Sequence, residues 1–235
     1  MKKKFILPFF VLFLTSLTVG AQQVTPKVSP KASYVDSKGF TQEVTSIDDG
    51  QAPLEVTFTA NPSGMDDYSP SYEWHFRRLV GSSGYEELFV RYEEDTQYTF
   101  NESGTYLIVL KTDVGDEDVV VDSAEIKIFV AESWLEFPNA FSPNGDGLND
   151  VYKAKSDYKS IVEFHAYIIN RWGQRLFDWT DISKGWDGTY RGKDCKDGVY
   201  FVIVKARGAD GKEYNIRKDV NLLRKYSDGG STGGN

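Results

Sequence analysis

The chain has 235 residues, a formal net charge of −8 and one cysteine, Cys195. An acidic chain without a basic cluster excludes nucleic acid as a partner, because phosphate contacts need clustered Lys and Arg. A single cysteine excludes an intrachain disulfide, so stability has to come from apolar cores.

Met1–Lys4 carries three lysines, and Phe5–Val19 is a nearly uncharged apolar run. Val19-Gly20-Ala21 then supplies small residues ahead of the polar Gln22-Gln23. This pattern predicts a secretory signal peptide over residues 1–21, cut after Ala21. The run is short for a membrane span of about 20 residues and is interrupted by Pro8. Cleavage leaves about 214 residues, enough for one large or two small domains, with a net charge of −11. No later segment is long and apolar enough to cross a bilayer, so the mature chain is expected to be soluble or surface-associated.

Residues 22–31 contain two prolines and no apolar period, and read as an extended linker. Residues 32–132 then alternate with period two. Leu54, Val56 and Phe58 share one strand face, with Glu55, Thr57 and Thr59 on the other. Tyr72, Trp74 and Phe76 repeat the alternation, as do Tyr106, Ile108 and Leu110, then Ile126, Ile128 and Val130. Asn61-Pro62-Ser63-Gly64, Asn101-Glu102-Ser103-Gly104 and Gly115-Asp116 punctuate these runs as turns. Short strands without a helical period predict an antiparallel sandwich.

The segments GQAPLEVTFTA at Gly50–Ala60, SYEWHF at Ser71–Phe76 and YTFNESGTYLIVLK at Tyr98–Lys111 resemble a PKD-type, immunoglobulin-like domain. The resemblance implies that Trp74 is a core residue between two sheets. Arg77-Arg78 stand where that family has a Gly-Asp-Gly turn, and Leu79–Glu87 then reads as a long hairpin end. Tyr68, Tyr72, Tyr85, Tyr92 and Tyr98 are either ordinary strand residues or a stacking surface for sugars or partners. The acidic pairs Asp48-Asp49, Asp66-Asp67, Glu86-Glu87 and Glu93-Glu94 read as solvated loop and edge charges.

Residues 133–226 form a second unit. Trp134–Pro138 is expected to be its first strand, with pairing limited by Pro138. Ser142-Pro143-Asn144-Gly145-Asp146-Gly147 is a tight connection in which the glycines tolerate positive φ and the Asn and Asp side chains bond back to the backbone. Asn144, Asp146, Asn149 and Asp150 also place four oxygen ligands within seven residues, a partial calcium loop that lacks the bidentate acid of a full one. A turn satisfied by its own hydrogen bonds is the alternative. Ile161–Asn170 is apolar on both faces, as a central strand would be. Asn170-Arg171-Trp172-Gly173 turns the chain and Gln174–Asp178 returns as a hairpin partner. Gly185-Trp186-Asp187-Gly188 is a further turn, with Trp172 and Trp186 both expected to cover the end of the core. Val199–Ala206, a hairpin at Ala209-Asp210-Gly211 and Tyr214–Arg224 complete six or seven strands.

FPNAFSPNGDGLNDVY at Phe137–Tyr152, NRWGQRLF at Asn170–Phe177, GWDG at Gly185–Gly188 and DGVYFVIVKA at Asp197–Ala206 together resemble the gliding motility-associated C-terminal domain, the type B sorting domain of the type IX secretion system. The resemblance covers Phe137–Arg224. It rests on Phe137, Pro138, Asn139, Phe141, Ser142, Pro143, Asn144, Gly145, Asp146, Gly147, Asn149 and Asp150, then Asn170, Arg171, Trp172 and Gly173, then Trp186, Asp187, Gly188, Asp197, Gly198 and Tyr200. It implies a C-terminal address recognised in the periplasm of a Gram-negative cell. That address carries the chain through an outer-membrane translocon to the cell surface or beyond. It also implies a sortase-like protease that removes the domain or exchanges it for a lipopolysaccharide anchor. Members of the family usually end near the residues matching Leu222-Leu223-Arg224, whereas this chain continues into a Gly/Ser-rich extension, Lys225–Asn235, of which residues 227–235 read as a disordered tail.

Cys195 lies in a polar turn and reads as an exposed thiol. A nucleophile needs a base within hydrogen-bond reach, and the sequence offers only two histidines, His75 and His165, in different units, so no catalytic role is expected for it. Glu163 and His165, two apart on one strand face, are placed to pair with each other. Asp122-Ser123-Ala124 fits a short O-glycosylation pattern at Ser123. The sequence thus predicts an all-β chain: two consecutive immunoglobulin-like antiparallel β-sandwich domains after a signal peptide. No catalytic constellation and no cofactor is expected beyond the calcium alternative. The leading functional reading is a non-enzymatic exported surface protein. Because only about 110 mature residues precede the sorting domain, a structural or signalling component of the secretion apparatus with an envelope partner is a second reading. An adhesive or glycan-binding module is a third.

Overall fold

Each alternating run of residues 32–132 becomes a strand, and no helix appears among the described residues. The computed structural model describes residues 25–66, 68–82, 84–115 and 123–224; the expected signal peptide at residues 1–21 and the Lys225–Asn235 extension lie outside the described residues. The first half contains β1 (Lys27–Val28), β2 (Lys31–Val35), β3 (Thr41–Val44), β4 (Ser46–Gly50), β5 (Leu54–Thr59), β6 (Pro62–Ser63), β7 (Ser71–Val80), β8 (Gly84–Arg91), β9 (Thr96–Phe100), β10 (Gly104–Asp113) and β11 (Ala124–Val130). One sheet has the order β4-β11-β10-β7-β8 and the facing sheet β3-β2-β5-β9. The two close an immunoglobulin-like sandwich. Val56, Phe58, Trp74, Phe76, Phe100, Ile108, Leu110, Ile126, Ile128 and Val130 are buried between them.

Trp74 is fully buried at 5.8 Å from the Phe58 ring. Its indole N–H donates to the carbonyls of Glu93 and Glu94 at 3.0 and 3.1 Å, which satisfies the one polar atom this core carries on its largest side chain. Arg77-Arg78 continue β7 instead of turning it, and β7 pairs with β8 as far as Val80 and Gly84, so most of the expected hairpin end Leu79–Glu87 is strand. The lead-in differs from a free linker: Lys27–Val28 pairs with Pro62–Ser63, and the Ser29 N–H donates to Ala60 at 3.1 Å. Its prolines rule out a long strand, but single pairings with the first sandwich remain available to it.

The second half contains β12 (Ala140–Phe141), β13 (Ile161–Ile169), β14 (Arg175–Trp179), β15 (Thr189–Tyr190), β16 (Lys193–Asp194), β17 (Gly198–Gly208) and β18 (Glu213–Leu222). Its main sheet has the order β12-β18-β17-β13-β14, with β15-β16 a separate hairpin. β13 and β17, apolar on both faces, take interior positions. The facing layer is extended chain held by short pairings. Trp134–Pro138, expected as a strand, makes one isolated bridge, Trp134 to Lys159, because Pro138 has no N–H to continue a ladder. Its Leu135 and Phe137 still enter the core.

The two sandwiches are joined by hydrogen bonds. The β17–β18 hairpin inserts Ala209, 6% exposed, into the first core. The Ala209 carbonyl accepts from the Ser103 N–H at 3.0 Å, and its N–H donates to Ser160 at 2.9 Å. Ser160 Oγ accepts from the Ala52 N–H at 3.2 Å, and Ser103 Oγ donates to Ala131 at 2.8 Å. Ser133 donates through its hydroxyl and its N–H to the two oxygens of Asp210, at 2.7 and 3.1 Å. Partial burial raises the Asp210 carboxyl, but these bonds and the backbone amide donors outweigh it and leave it below the usual range.

Candidate functional site

Three of the four motif stretches, the first, third and fourth, meet at one end of the second sandwich. β12 lies parallel to the end of β18, pairing Phe141 with Leu222, and so carries the 142–150 loop to the sheet edge. Within that loop Gly145 and Gly147 have φ of +83° and +85°. The Asp150 carboxylate accepts the N–H groups of Asn144, Gly145 and Gly147 at 2.9, 2.7 and 2.8 Å. Those donors, led by Gly145 and Gly147, hold its carboxyl below the usual range. Asp146 accepts from Asn144 Nδ2 and from the Leu148 N–H at 3.0 and 2.8 Å, while the Asn149 carbonyl accepts from the Ser142 N–H at 2.9 Å. Of the four oxygen residues, Asp146 and Asp150 thus turn both carboxylate oxygens to donors of the loop itself. Among the described residues no group of three or more His, Cys, Asp and Glu is arranged to hold a metal.

Behind the loop the aromatic motif residues form a chain. Phe137 lies 5.8 Å from Tyr152, Tyr152 5.7 Å from Phe141, Phe141 5.3 Å from Trp186, and Trp186 5.0 Å from Tyr200. Tyr152 and Trp186 are fully buried and exchange backbone hydrogen bonds at 2.8 and 2.9 Å. The Tyr152 hydroxyl donates to Pro138 at 3.1 Å, and burial pushes its pKa up. The Trp186 indole donates to Thr189 at 2.7 Å, and Asp187 Oδ1 accepts the Thr189 N–H and hydroxyl at 2.9 and 2.8 Å. Asn139 accepts from the Asn221 N–H at 2.9 Å.

Arg224 ties these stretches together, and nothing in the motif pattern pointed to it. Its guanidinium donates to the Pro143 carbonyl at 2.8 Å and the Gly188 carbonyl at 2.9 Å and pairs with Asp194 at 3.2 Å. Its backbone N–H donates to Asp197 at 3.1 Å. One residue thus reaches the first, third and fourth motifs. Gly188 makes room for it: at φ +80°, a Cβ there would lie 2.9 Å from Pro143, 3.1 Å from Arg224 Nη2 and 3.2 Å from Leu222. Gly198 begins β17 with φ +150°.

The second motif stands apart from that knot. Asn170 Oδ1 accepts the N–H groups of Trp172 and Gln174, both at 3.0 Å, and Gly173 takes φ +79°. This turn points the indole outward, so Trp172 is 81% exposed and does not cover the core end; Trp186 alone does. Cys195 also departs from the exposed thiol expected. Its N–H pairs with Gly188 at 2.9 Å and draws it against the core edge, where burial raises the thiol pKa despite the Tyr200 hydroxyl and Arg224 nearby.

The histidines are held elsewhere. His75 sits between Glu87 at 2.7 Å and Glu73 at 3.1 Å. His165 contacts Asp178 at 3.1 Å, whereas Glu163 pairs with Arg207, so the expected Glu163–His165 pair does not form. Glu163 and Asp178 meet Arg207 and His165 across the sheet, whereas Glu73 meets His75 along β7. Of the five tyrosines in the first sandwich, Tyr72 is buried, Tyr68 and Tyr98 are half-buried, and Tyr85 and Tyr92 are exposed. Ser123 is exposed just ahead of β11, while its neighbour Asp122 lies outside the described residues.

Among solved structures the chain is similar to the FN1–FN3 domains of chicken CNTN1, at TM-score 0.31 and 8% identity, over 76% of this chain and 62% of that one. It is also similar to dimeric latent PorU from Porphyromonas gingivalis, at TM-score 0.26 and 11% identity, over 87% and 21%. Drosophila N-cadherin EC1–4 is matched at TM-score 0.22 and 16% identity, over 83% and 50%. The chain thus spans less than two thirds of each of these structures. No curated protein matches it. The family model of the CHU_C type IX secretion signal domain matches residues 135–218, the stretch that holds the four motifs. By that match, the second sandwich belongs to the CHU_C type IX secretion signal domain family.

Proposed function

We propose that this chain is a non-enzymatic protein exported through the type IX route, with the second sandwich as its address and the first as the carried module. The observation that carries the reading is the convergence of motif residues of the matched domain, residues 135–218, on Arg224 just beyond its end, from 27 to 81 positions upstream. A recognition element needs such preorganisation, because a loop ordered only on docking spends affinity on its own ordering. In this reading the translocon recognises the motif end in the periplasm, and a sortase-like protease then processes the chain at the cell surface.

Fractionation with C-terminal mass mapping, wild type against a translocon mutant, tests it. Periplasmic accumulation confined to the mutant is the expected result, and identical localisation in both strains refutes it. The same intact mass reports a lipopolysaccharide anchor and sugar on Ser123. At residues 144–150 the hydrogen bonds favour a turn that holds itself over a calcium loop; the two are separated by a calcium titration of the loop amides.

A structural or signalling role in the secretion apparatus is the second reading, favoured by the hydrogen-bonded joint between the sandwiches, which suits a rigid strut. Deletion of the gene distinguishes it, since a component is needed for other cargo to reach the surface. The adhesive reading rests on Tyr85 and Tyr92 alone.

A further inference from the structure

We propose that the cleft between the Asn170–Gly173 turn and the start of β17 is a docking groove for an acidic peptide segment of the export machinery. This inference rests on the secretion reading above. The cleft has a volume of about 340 Å³ and is lined by Arg171, Trp172, Leu176, Tyr190, Lys196 and Tyr200, among others.

Two independent observations carry it. The first is Trp172. An indole left 81% exposed keeps most of its apolar surface in water, surface that a partner would bury. The Asn170 bonds hold the turn that presents it, so little order remains to be imposed when a partner covers it. Exposed, prepositioned Trp and Arg are the residue types that dominate binding energy at interfaces.

The second is charge. Arg171, Arg191, Lys193 and Lys196 are exposed and make no ion pair among the described residues. Arg171 stacks over Trp172 at 5.4 Å and Arg191 over Tyr190 at 5.2 Å, which brings both cations to the aromatic walls. The neighbouring acids are already engaged. Asp178 pairs with Arg175, Asp181 accepts from Ser183, Asp187 accepts from Thr189, and Asp194 pairs with Arg224. Asp197 itself lines the cleft, and its Oδ1 takes the Arg224 N–H. Bonds from neutral donors leave Asp181, Asp187 and Asp197 charged, so the four unpaired cations exceed these three carboxylates by one, a small local surplus on a chain whose net charge is −8. Such a patch selects and steers an acidic partner. The concavity, with Leu176 and Tyr200 in its wall, suits a peptide carrying an aromatic or apolar side chain and not a flat anionic bilayer.

The test uses the full chain and three probes: a Glu/Tyr copolymer, a Lys/Tyr copolymer and phosphatidylglycerol vesicles. Binding to the Glu/Tyr copolymer alone, weakening as salt rises, is expected. The double variant Arg171→Glu/Lys196→Glu should weaken it roughly tenfold or more, and Trp172→Ala by about fivefold. Far-UV circular dichroism and the urea midpoint should stay unchanged, because all three positions are exposed. Equal binding of the two copolymers, wild-type binding by the variants, or vesicle binding in place of the peptide each overturns the inference. In cells, the charge-reversal variant should accumulate in the periplasm. If it is exported like wild type while Gly188→Val is retained, the groove is not the docking site and the secretion reading stands. If wild type reaches the surface in a translocon mutant, the secretion reading itself fails.

Discussion

Substituting Gly188 by alanine tests whether the motif end is a packed, preorganised structure. At φ +80° any side chain incurs a conformational cost of about 1 kcal/mol. At Gly188 the added methyl also meets Pro143, Leu222 and the Arg224 guanidinium, all within 3.2 Å. Pro143 and Leu222 are anchored in the core, so overpacking there adds roughly 1–3 kcal/mol. Gly173 is the matched control: its φ is +79°, and nothing lies within 4 Å of its virtual Cβ. Gly173→Ala should therefore cost about 1 kcal/mol and Gly188→Ala about 2–4 kcal/mol. Urea unfolding of the full chain, followed by tryptophan fluorescence, measures both. Equal losses would show that Gly188 is only a turn residue and that Arg224 does not lock the motifs in place.

Three further outcomes follow from the same geometry. Arg224→Ala removes the donor to Pro143 and Gly188 and the partner of Asp194, and should lower stability by about 2–3 kcal/mol; Arg224→Lys should recover only part of it, since one ammonium cannot span both carbonyls as a guanidinium does. Asp150 should show pH dependence: its carboxyl lies below its ordinary value of 3.8, so the loop's stabilisation is complete above that value and is lost as pH falls through the depressed one. NMR titration of the Asn144, Gly145 and Gly147 amides checks this, and amide shifts centred at or above the ordinary value refute it. Cys195, its thiol raised by burial, should be alkylated more slowly than a free cysteine at pH 8 and should approach the free rate only in more alkaline solution; a rate equal to the free thiol at pH 8 refutes the burial.

What the sequence reveals here depends on how local the physics is. Leu54, Val56 and Phe58 announce a strand because burial and the period-two pleat coincide within six residues. The 144–150 loop is legible for the same reason: Asp146 and Asp150 bond to donors no more than six residues away. Arg224 is illegible, because its partners lie 27 to 81 residues upstream and a single arginine leaves no pattern. The NRWG motif announces a turn at Asn170–Gly173, but the direction of the indole depends on which side of the hairpin the core lies, so Trp172 reads as core while standing in solvent. Trp134–Pro138 carries a strand's apolar alternation without a strand's ladder. Burial follows side-chain spacing, whereas pairing also needs a neighbour and an N–H at every other residue.

The joint between the sandwiches has a consequence for processing. From Ala131 to Trp134 the backbone is held on both sides: Ala131 by Gly50 and Ser103, Ser133 by Asp210, and Trp134 by Lys159. A protease needs several residues of loose, extended chain, and this crossing offers none while both sandwiches are folded. Any enzyme that severs the address at this crossing must first open it, drawing Ala209 out of the first core. The folded state of the first sandwich therefore guards the crossing into the second.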